Sequence, residues 1–482
     1  MARGIRVRFS GGLLFLGNLA TLVTGLIFNV LIARNLEPAV LGVWFFIGSV
    51  LPYFQVLEKA IPYWAAREIP RGGQVGRTTL AFNLLLSIPI TIVFIALSST
   101  LSSVINAQPR VFTLASLFIP VYYAAAALTA VTYSTEPHKL GLRTIIIDGV
   151  KIPLSLLLLP LGLEGVIMAV IAGNIAYVAY LYKASHRYLG EKFDGAWVKS
   201  QLRRVWLPIN ENLIGYLTMA TDAFIVGLLL TSSDLSNYGI AMAIASVVGT
   251  AKGLTGAIYP KLLGAGAASE SELRALFKFQ HIFVTPMVAG GIVLAPRLVE
   301  IFGSRYLGGA PVLPLLLLAP TMGVLSHTMR SVVTGLEKAD RESSSMGLVR
   351  TSLFTMQLPH YLQLATLVLV AFSTAREWGI MGAAVARLAA SALNLGFTSI
   401  LYARRASLSA VVHGLEKTVP SAAAMAIALA IINPRGSLFT LAAIGVGGLI
   451  YFAVLLILDR DSRVLAKRTV EEGKRLIVVQ PD

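Results

Sequence analysis

The chain has 482 residues, 56% of them hydrophobic and only 13% charged, with a mean hydropathy of +0.75. Soluble domains carry about a quarter charged residues, and no water-soluble fold of this length could hide so much apolar surface. The absence of Cys excludes disulfides, thiolate metal sites and cysteine nucleophiles, and the net charge of +16 is read as the loop bias of a membrane protein, with no nucleic-acid partner expected.

Spanning a bilayer takes roughly 20 apolar residues in a helix, because no water is present to satisfy the backbone. Such stretches are predicted over 11–33, 40–65, 79–100, 111–132, 143–161, 164–182, 206–230, 235–259, 279–296, 310–334, 351–373, 379–402, 418–433 and 438–458. The expected architecture is an all-α polytopic membrane protein of about fourteen transmembrane helices. The basic start, Met1 to Arg8, precedes an apolar run without a small-residue cleavage pattern, so the first stretch is expected to stay in place. Orientation follows from Lys and Arg. With the N-terminus inside, the outer segments hold only Arg34, Arg110, Arg297, Arg305, Arg376 and Arg435, whereas the inner segments and the tail hold most of the rest. Both termini are therefore expected in the cytoplasm. The longest inner loop, Lys183 to Val205, is expected to lie along the inner membrane surface.

The chain also resembles itself. Gly42 to Pro62 in the second stretch parallels Gly239 to Pro260 in the eighth, and Leu163-Glu164-Gly165-Val166 before the sixth parallels Ile380-Met381-Gly382-Ala383 before the twelfth. Two pseudo-symmetric six-helix lobes in parallel are expected, plus two C-terminal helices: an N-lobe over 1–200, a C-lobe over 201–410, and a last pair with a basic tail over 411–482. By analogy, the cleft between such lobes is the substrate route.

Three stretches carry a family likeness: Leu31-Ile32-Ala33-Arg34-Asn35-Leu36-Glu37-Pro38 with Leu41-Gly42; Asp222 with Ile225-Val226-Gly227, Tyr238-Gly239 and Tyr259-Pro260; and Ile301-Phe302-Gly303-Ser304-Arg305-Tyr306 with Ala310 and Gly335-Leu336-Glu337-Lys338. In this order they resemble the polysaccharide-exporter branch, including O-antigen flippases, of the multidrug, oligosaccharidyl-lipid and polysaccharide (MOP) exporter superfamily. The resemblance implies alternating access and movement of a polyprenyl-(di)phosphate-linked glycan from the cytoplasmic to the outer leaflet of the cell membrane. Multidrug extruders of that superfamily typically have twelve helices, so the extra pair favours the lipid-linked branch. The alternative is a cation-coupled exporter of small amphipathic compounds.

A charge near the bilayer centre costs roughly 2.5 kcal/mol or more and is a functional candidate. Lys59 and Lys252 fall in repeat-equivalent helices. If those helices line the cleft, as the resemblance implies, the two ammonium groups can hold a diphosphate, although either lysine can instead snorkel to the inner surface. Arg330, near His327, and Arg387 are further substrate-binding candidates, or pack against carbonyls. Asp222 and Glu211 are candidates for H⁺ or Na⁺ coupling, with a structural pairing the other reading of Asp222. Glu58 is a third coupling candidate or simply neutralises a neighbour, and Asp148 with Lys151 reads as a local ion pair.

Enzyme motifs fail. Gly72-Gly73-Gln74-Val75-Gly76-Arg77-Thr78 lacks the spacing and Lys of a phosphate-binding loop, and there is no HExxH. No catalytic residue, metal or cofactor is expected beyond a coupling ion. The partners expected are the lipid-linked glycan and membrane lipids, with the protein a monomer.

Overall fold

The computed structural model describes residues 23–255, 269–335 and 355–464. The start of the first predicted stretch, Tyr259-Pro260, Leu336-Glu337-Lys338, the first residues of the eleventh stretch and most of the basic tail lie outside the described residues, as does the side chain of Glu211. The described chain is helical, without a strand. In order run α1 (Val23–Asn35), α2 (Pro38–Gln55), α3 (Pro62–Glu68), α4 (Gly76–Val104), α5 (Phe118–Thr135), α6 (Arg143–Leu158) and α7 (Gly162–Ser185). A short helix, α8 (Gly195–Leu202), follows, then α9 (Trp206–Leu229), α10 (Ser232–Gly249), α11 (Glu270–Val293), α12 (Leu313–Gly335), α13 (Leu358–Trp378) and α14 (Ile380–Ala403). The chain closes with α15 (Leu415–Ile432) and α16 (Ser437–Leu458). Among the described residues, 10 helical spans are long and apolar enough to cross a membrane.

The repeat is written in the backbone. Gly162 before α7 has φ 62°, ψ −139°, and Gly379 before α14 has φ 58°, ψ −141°. Both lie where a side chain is strained. Three residues on, a Cβ on Gly165 would stand 2.0 Å from the Leu158 carbonyl oxygen, and one on Gly382 would stand 2.3 Å from that of Thr374. Each lobe therefore turns a tight helix–glycine–helix corner at the same place.

The lobes meet along α2 and α10, the repeat-related pair. A Cβ on Gly42 would fall 1.8 Å from the backbone oxygen of Ser232, and one on Gly239 would fall 2.4 Å from the Phe45 ring. Small residues at these crossings let the backbones close to van der Waals contact, which is what holds helices together in a lipid solvent. Beside them Phe46 stacks on Phe224 at 5.8 Å, and Tyr53 packs on the same ring at 5.3 Å. One continuous apolar core here includes Leu41 and Phe46 of α2, Tyr238 of α10 and Leu316 of α12.

The same end carries a polar clamp. Arg305 donates to the carbonyls of Ala33 and Arg34, each at 2.9 Å, and the Tyr306 hydroxyl lies 2.9 Å from Ala33 O and 3.2 Å from Leu36 O. Ala33 and Arg34 lie in the last turn of α1, whose carbonyls have no helical partners. Two of the motifs recognised in the sequence thus meet in space.

Sequence periodicity predicts continuous helices over 40–65 and 235–259, and the structure corrects both. α2 ends at Gln55 and α3 restarts at Pro62, while α10 ends at Gly249 and continues as a 3₁₀ turn, Thr250–Thr255. The break after α2 frees backbone carbonyls that nearby side chains take up. The Tyr123 hydroxyl donates to Phe54 O at 2.9 Å, and Asn83 donates to Glu58 O at 2.7 Å and to Tyr123 O at 3.0 Å. Hydropathy cannot report such a break, because its residues stay apolar enough to read as one span.

Inside the C-lobe, Asp222 of α9 is fully buried; its Oδ2 receives Arg387 Nη1 of α14 and the Tyr238 hydroxyl of α10, both at 2.6 Å. This triad ties three helices. The last pair is tied differently: α15 and α16 pack on α11 through Met425, Leu429, Tyr451 and Ile282, and Lys278 of α11 bridges Asp459 at 2.8 Å and Asp461 at 2.9 Å just beyond α16.

Removing one member of a buried ion pair costs about 3–5 kcal/mol, whereas replacing both by apolar groups can be neutral. Asp222→Ala and Arg387→Ala should each lower the melting temperature of the detergent-solubilised protein sharply, and Asp222→Leu with Arg387→Met should recover most of the loss. Additive losses in the double variant would show that the pair is not coupled. Burial alone would raise the Asp459 carboxyl, but the Lys278 ammonium and the Ser462 hydroxyl and amide outweigh it and hold it below the usual aspartate value. A depressed carboxyl stabilises the fold above its unfolded value and loses that contribution as pH falls through the folded one. Wild type and Asp459→Asn should therefore differ in melting temperature at pH 7 and converge below about pH 4. A gap that widens in acid would contradict this.

Candidate functional site

The break between α2 and α3 opens onto a cavity of ≈ 1060 Å³. It lies at the Lys59 end of the lobes, away from the glycine contacts at Gly42. Its walls come from the break itself (Gln55, Glu58, Lys59), from α3, from α5 between Tyr122 and Tyr133, from the N-terminal part of α6, from α7, and from the start of α9. It is a chamber of the N-lobe that α9 of the C-lobe closes through Pro208, Asn212 and Tyr216.

Its chemistry is cationic and aromatic. Lys59, Arg143 and Lys151 line it, with Tyr63, Tyr122, Tyr133, Tyr177 and Tyr216, and with the amides Gln55, Asn174 and Asn212. The Lys59 ammonium stands 5.2 Å from the centre of the Tyr216 ring, and Arg143 stands 5.9 Å from that of Tyr177. Beside Lys59, buried Glu58 accepts the Tyr216 hydroxyl at 2.5 Å, a bond from one lobe to the other. On α6, Lys151 pairs with Asp148 at 2.5 Å and lies 4.4 Å from the Phe28 ring, and Thr24 of α1 donates to the other Asp148 oxygen. Asp148 therefore links α1 to α6 as well as neutralising Lys151.

The other sequence candidates stand elsewhere. Lys252 is not among the residues lining this cavity. It follows α10, in the 3₁₀ turn that mirrors the α2 break, and its ammonium faces α12, 3.9 Å from where a Cβ on Gly323 would be. Arg330, two turns along α12, donates to Gln357 at 3.3 Å and contacts His360 of α13. The structure thus separates Lys59 and Lys252 into two clusters, one per lobe. Arg387 and Asp222 are joined to each other, and their pairing leaves the Asp222 Oδ1 buried without a hydrogen-bond partner. Among the described residues no three His, Asp or Glu side chains gather as a metal site.

Sequence reasoning missed Arg143, the first residue of the predicted stretch 143–161, and all five tyrosines. One signal for the arginine existed: Arg143, Ile147 and Lys151 recur every four residues, so they share a helix face, and all three line the cavity. The tyrosines come from four helices and the chain gives no local pattern for them.

With this geometry in hand, the likenesses to known proteins can be placed. Residues 74–311 match the family model described as "Polysaccharide biosynthesis protein". No curated protein matches the chain significantly. Among solved structures, the lipid II flippase MurJ in an inward closed conformation aligns with a TM-score of 0.73 at 12% identity, over 94% of this chain and 99% of that one. A mutant of the Vibrio cholerae MATE transporter VcmN aligns at 0.57 and 16%, over 83% and 95%. An inward-facing multidrug resistance MATE family transporter of the MOP superfamily aligns at 0.58 and 14%, over 80% and 95%. At such identities the likeness is one of fold. The chain is thus a multi-pass membrane protein with a fold like that of the MurJ flippase and MATE transporter structures, matching the polysaccharide biosynthesis family model over residues 74–311.

Proposed function

We propose that this protein is a flippase that carries a polyisoprenoid-linked oligosaccharide from the cytoplasmic to the outer leaflet of the cell membrane by alternating access. The observation that carries the reading is the composition of the cavity. Lys59, Arg143 and Lys151 suit a diphosphate, while the tyrosine faces and the amides of Gln55, Asn174 and Asn212 suit sugar rings. The family match and the MurJ-like fold support it. In this account the tightly packed Gly42 end is the outer end, closed here, and the cavity faces the cytoplasm.

The MATE-like folds keep the second reading, a cation-coupled exporter of small amphipathic compounds, in play. The engagement of Asp222 by Arg387 argues against it, because a guanidinium 2.6 Å from the carboxylate already balances its charge and leaves little to attract a coupling ion. We therefore assign Asp222 and Arg387 to holding the C-lobe together, and Lys59 and Arg143 to the substrate. Each role on the substrate is one of binding and orientation, with no covalent chemistry, and the protein works as a monomer.

The test is flipping of a radiolabelled polyprenyl diphosphate oligosaccharide in proteoliposomes. Wild type should flip the lipid, and Lys59→Glu and Arg143→Glu should each reduce the rate by at least about tenfold, since each reverses a charge that would contact phosphate. Normal insertion and melting temperature must accompany that loss. Unaltered flipping in both variants would remove the site, and no wild-type flipping of several such lipids would remove the function.

A further inference from the structure

The cavity leaves a second polar cluster unexplained, in the C-lobe. Gly323, His327 and Arg330 share one face of α12, and Lys252 approaches that face from the turn after α10. From α13, His360 meets Arg330, and from α14, buried Asn394 lies 2.5 Å from both His360 Nδ1 and Gln363 Oε1. Lys252 and His327 are close enough to act electrostatically on His360, and Arg330 on Lys252. Lys59 and Lys252 both sit where repeat-related helices unwind, so each lobe carries a cationic group at the same break.

The geometry around His360 fixes its proton. A guanidinium can only donate, so the Arg330 contact requires a lone pair on His360 Nε2. The ring is then neutral, with its hydrogen on Nδ1 facing Asn394, whose amide must turn its oxygen toward it, and Gln363 must in turn present its amide nitrogen to that oxygen. Among the described side chains, the groups around the ring are cationic or neutral: Arg330 and His327 from α12, Lys252 from the α10 turn, Gln357 just before α13, Tyr361 and Gln363 on it, and Asn394 from α14, with Asn210 of α9 reached through Tyr361. Arg387, two turns before Asn394, is engaged by Asp222. A proton arriving alone at Nε2 meets Arg330 head-on. An anion changes this, because Arg330 prefers the two oxygens of a phosphate to one imidazole nitrogen.

We propose that this cluster is a second site for a phosphate or diphosphate group and that filling it loads one proton onto His360. The anion takes Arg330 and Lys252, the Arg330 to Nε2 hydrogen bond breaks, and a proton from water binds the freed Nε2. When the anion leaves, Arg330 returns to the ring and the proton goes back to water. Each cycle moves one proton with one anion. As part of the proposed flippase cycle, which this extension presumes, the site receives the diphosphate from the N-lobe cavity.

The test is calorimetric titration of the full-length protein in detergent with inorganic pyrophosphate, in two buffers of different ionisation enthalpy at pH 7. The background is Lys59→Gln with Arg143→Gln, which removes the N-lobe site. Pyrophosphate should still bind there with net proton uptake. Adding Arg330→Gln should weaken binding about tenfold, and adding His360→Gln should abolish the uptake together with the part of the affinity that the loaded proton supplies, since a proton taken up on binding must by reciprocity strengthen that binding. His360→Asn repeats the test should His360→Gln melt early. No binding in the background, or uptake that survives both His360 variants, overturns the proposal. Farnesyl diphosphate binding more tightly than pyrophosphate identifies a lipid-borne anion, and equal affinity a free one. Pyrophosphate binding with uptake in a protein that flips no lipid would sink the flippase reading and keep this site.

Discussion

Hydrocarbon offers a broken helix nothing to bond with, so every carbonyl freed by a break must find a partner in the protein. The gap between α2 and α3 meets that demand through two side chains, Tyr123 on Phe54 O and Asn83 on Glu58 O. The rest of the site depends on it. With the break satisfied from α4 and α5, the turn carrying Glu58 and Lys59 has a fixed position. Glu58 then reaches Tyr216 of the other lobe, and Lys59 stands over the same ring. Were α2 continuous, the residues from Val56 to Ile61 would follow helical spacing, and this juxtaposition would not form.

The opposite end of the lobes obeys another constraint, that apolar helices in lipid gain by close approach rather than by leaving water. Gly42 against Ser232 and Gly239 against Phe45 give α2 and α10 that approach at two repeat-related positions. Around them lie the Phe46–Phe224 stack and the Arg305 and Tyr306 clamp on the end of α1. The molecule is therefore tight at one end and hollow at the other. The contacts that make it tight are mostly packing and single hydrogen bonds between the lobes, which a rocking motion can exchange without exposing a buried charge. The charge pair of fully buried Asp222 with partly exposed Arg387 lies inside one lobe, where such a motion leaves it intact.

Much of the fold was legible in the sequence because its signals are local. Runs of apolar residues set the helices. Gly165 and Gly382 marked the repeat and turn out to make the same corner against Leu158 and Thr374. The site was legible only in part. Lys59 stood out as a charge in an apolar run, but its place in a break depends on Asn83 and Tyr123, distant in sequence, and hydropathy averages over such a gap. Arg387 and Asp222 stood out for the same reason as Lys59, and nothing local says that 165 residues apart they face each other. Lys252 parallels Lys59 by repeat, yet its neighbours Arg330 and His360 come from α12 and α13, so parallel position did not mean a shared cavity.

The most direct test of the account is whether the tight end must open for transport. The chain has no Cys, so a single introduced pair is unambiguous. A Cβ on Gly239 would lie within 2.5 Å of atoms of the Phe45 ring, and Phe45→Cys with Gly239→Cys brings two sulfurs within the usual reach of a disulfide. Alternating access predicts that oxidation locks this pair and stops lipid flipping, and that reduction restores it. Flipping that continues at full rate with the disulfide formed would mean that the lobes do not part here, and the account would fail.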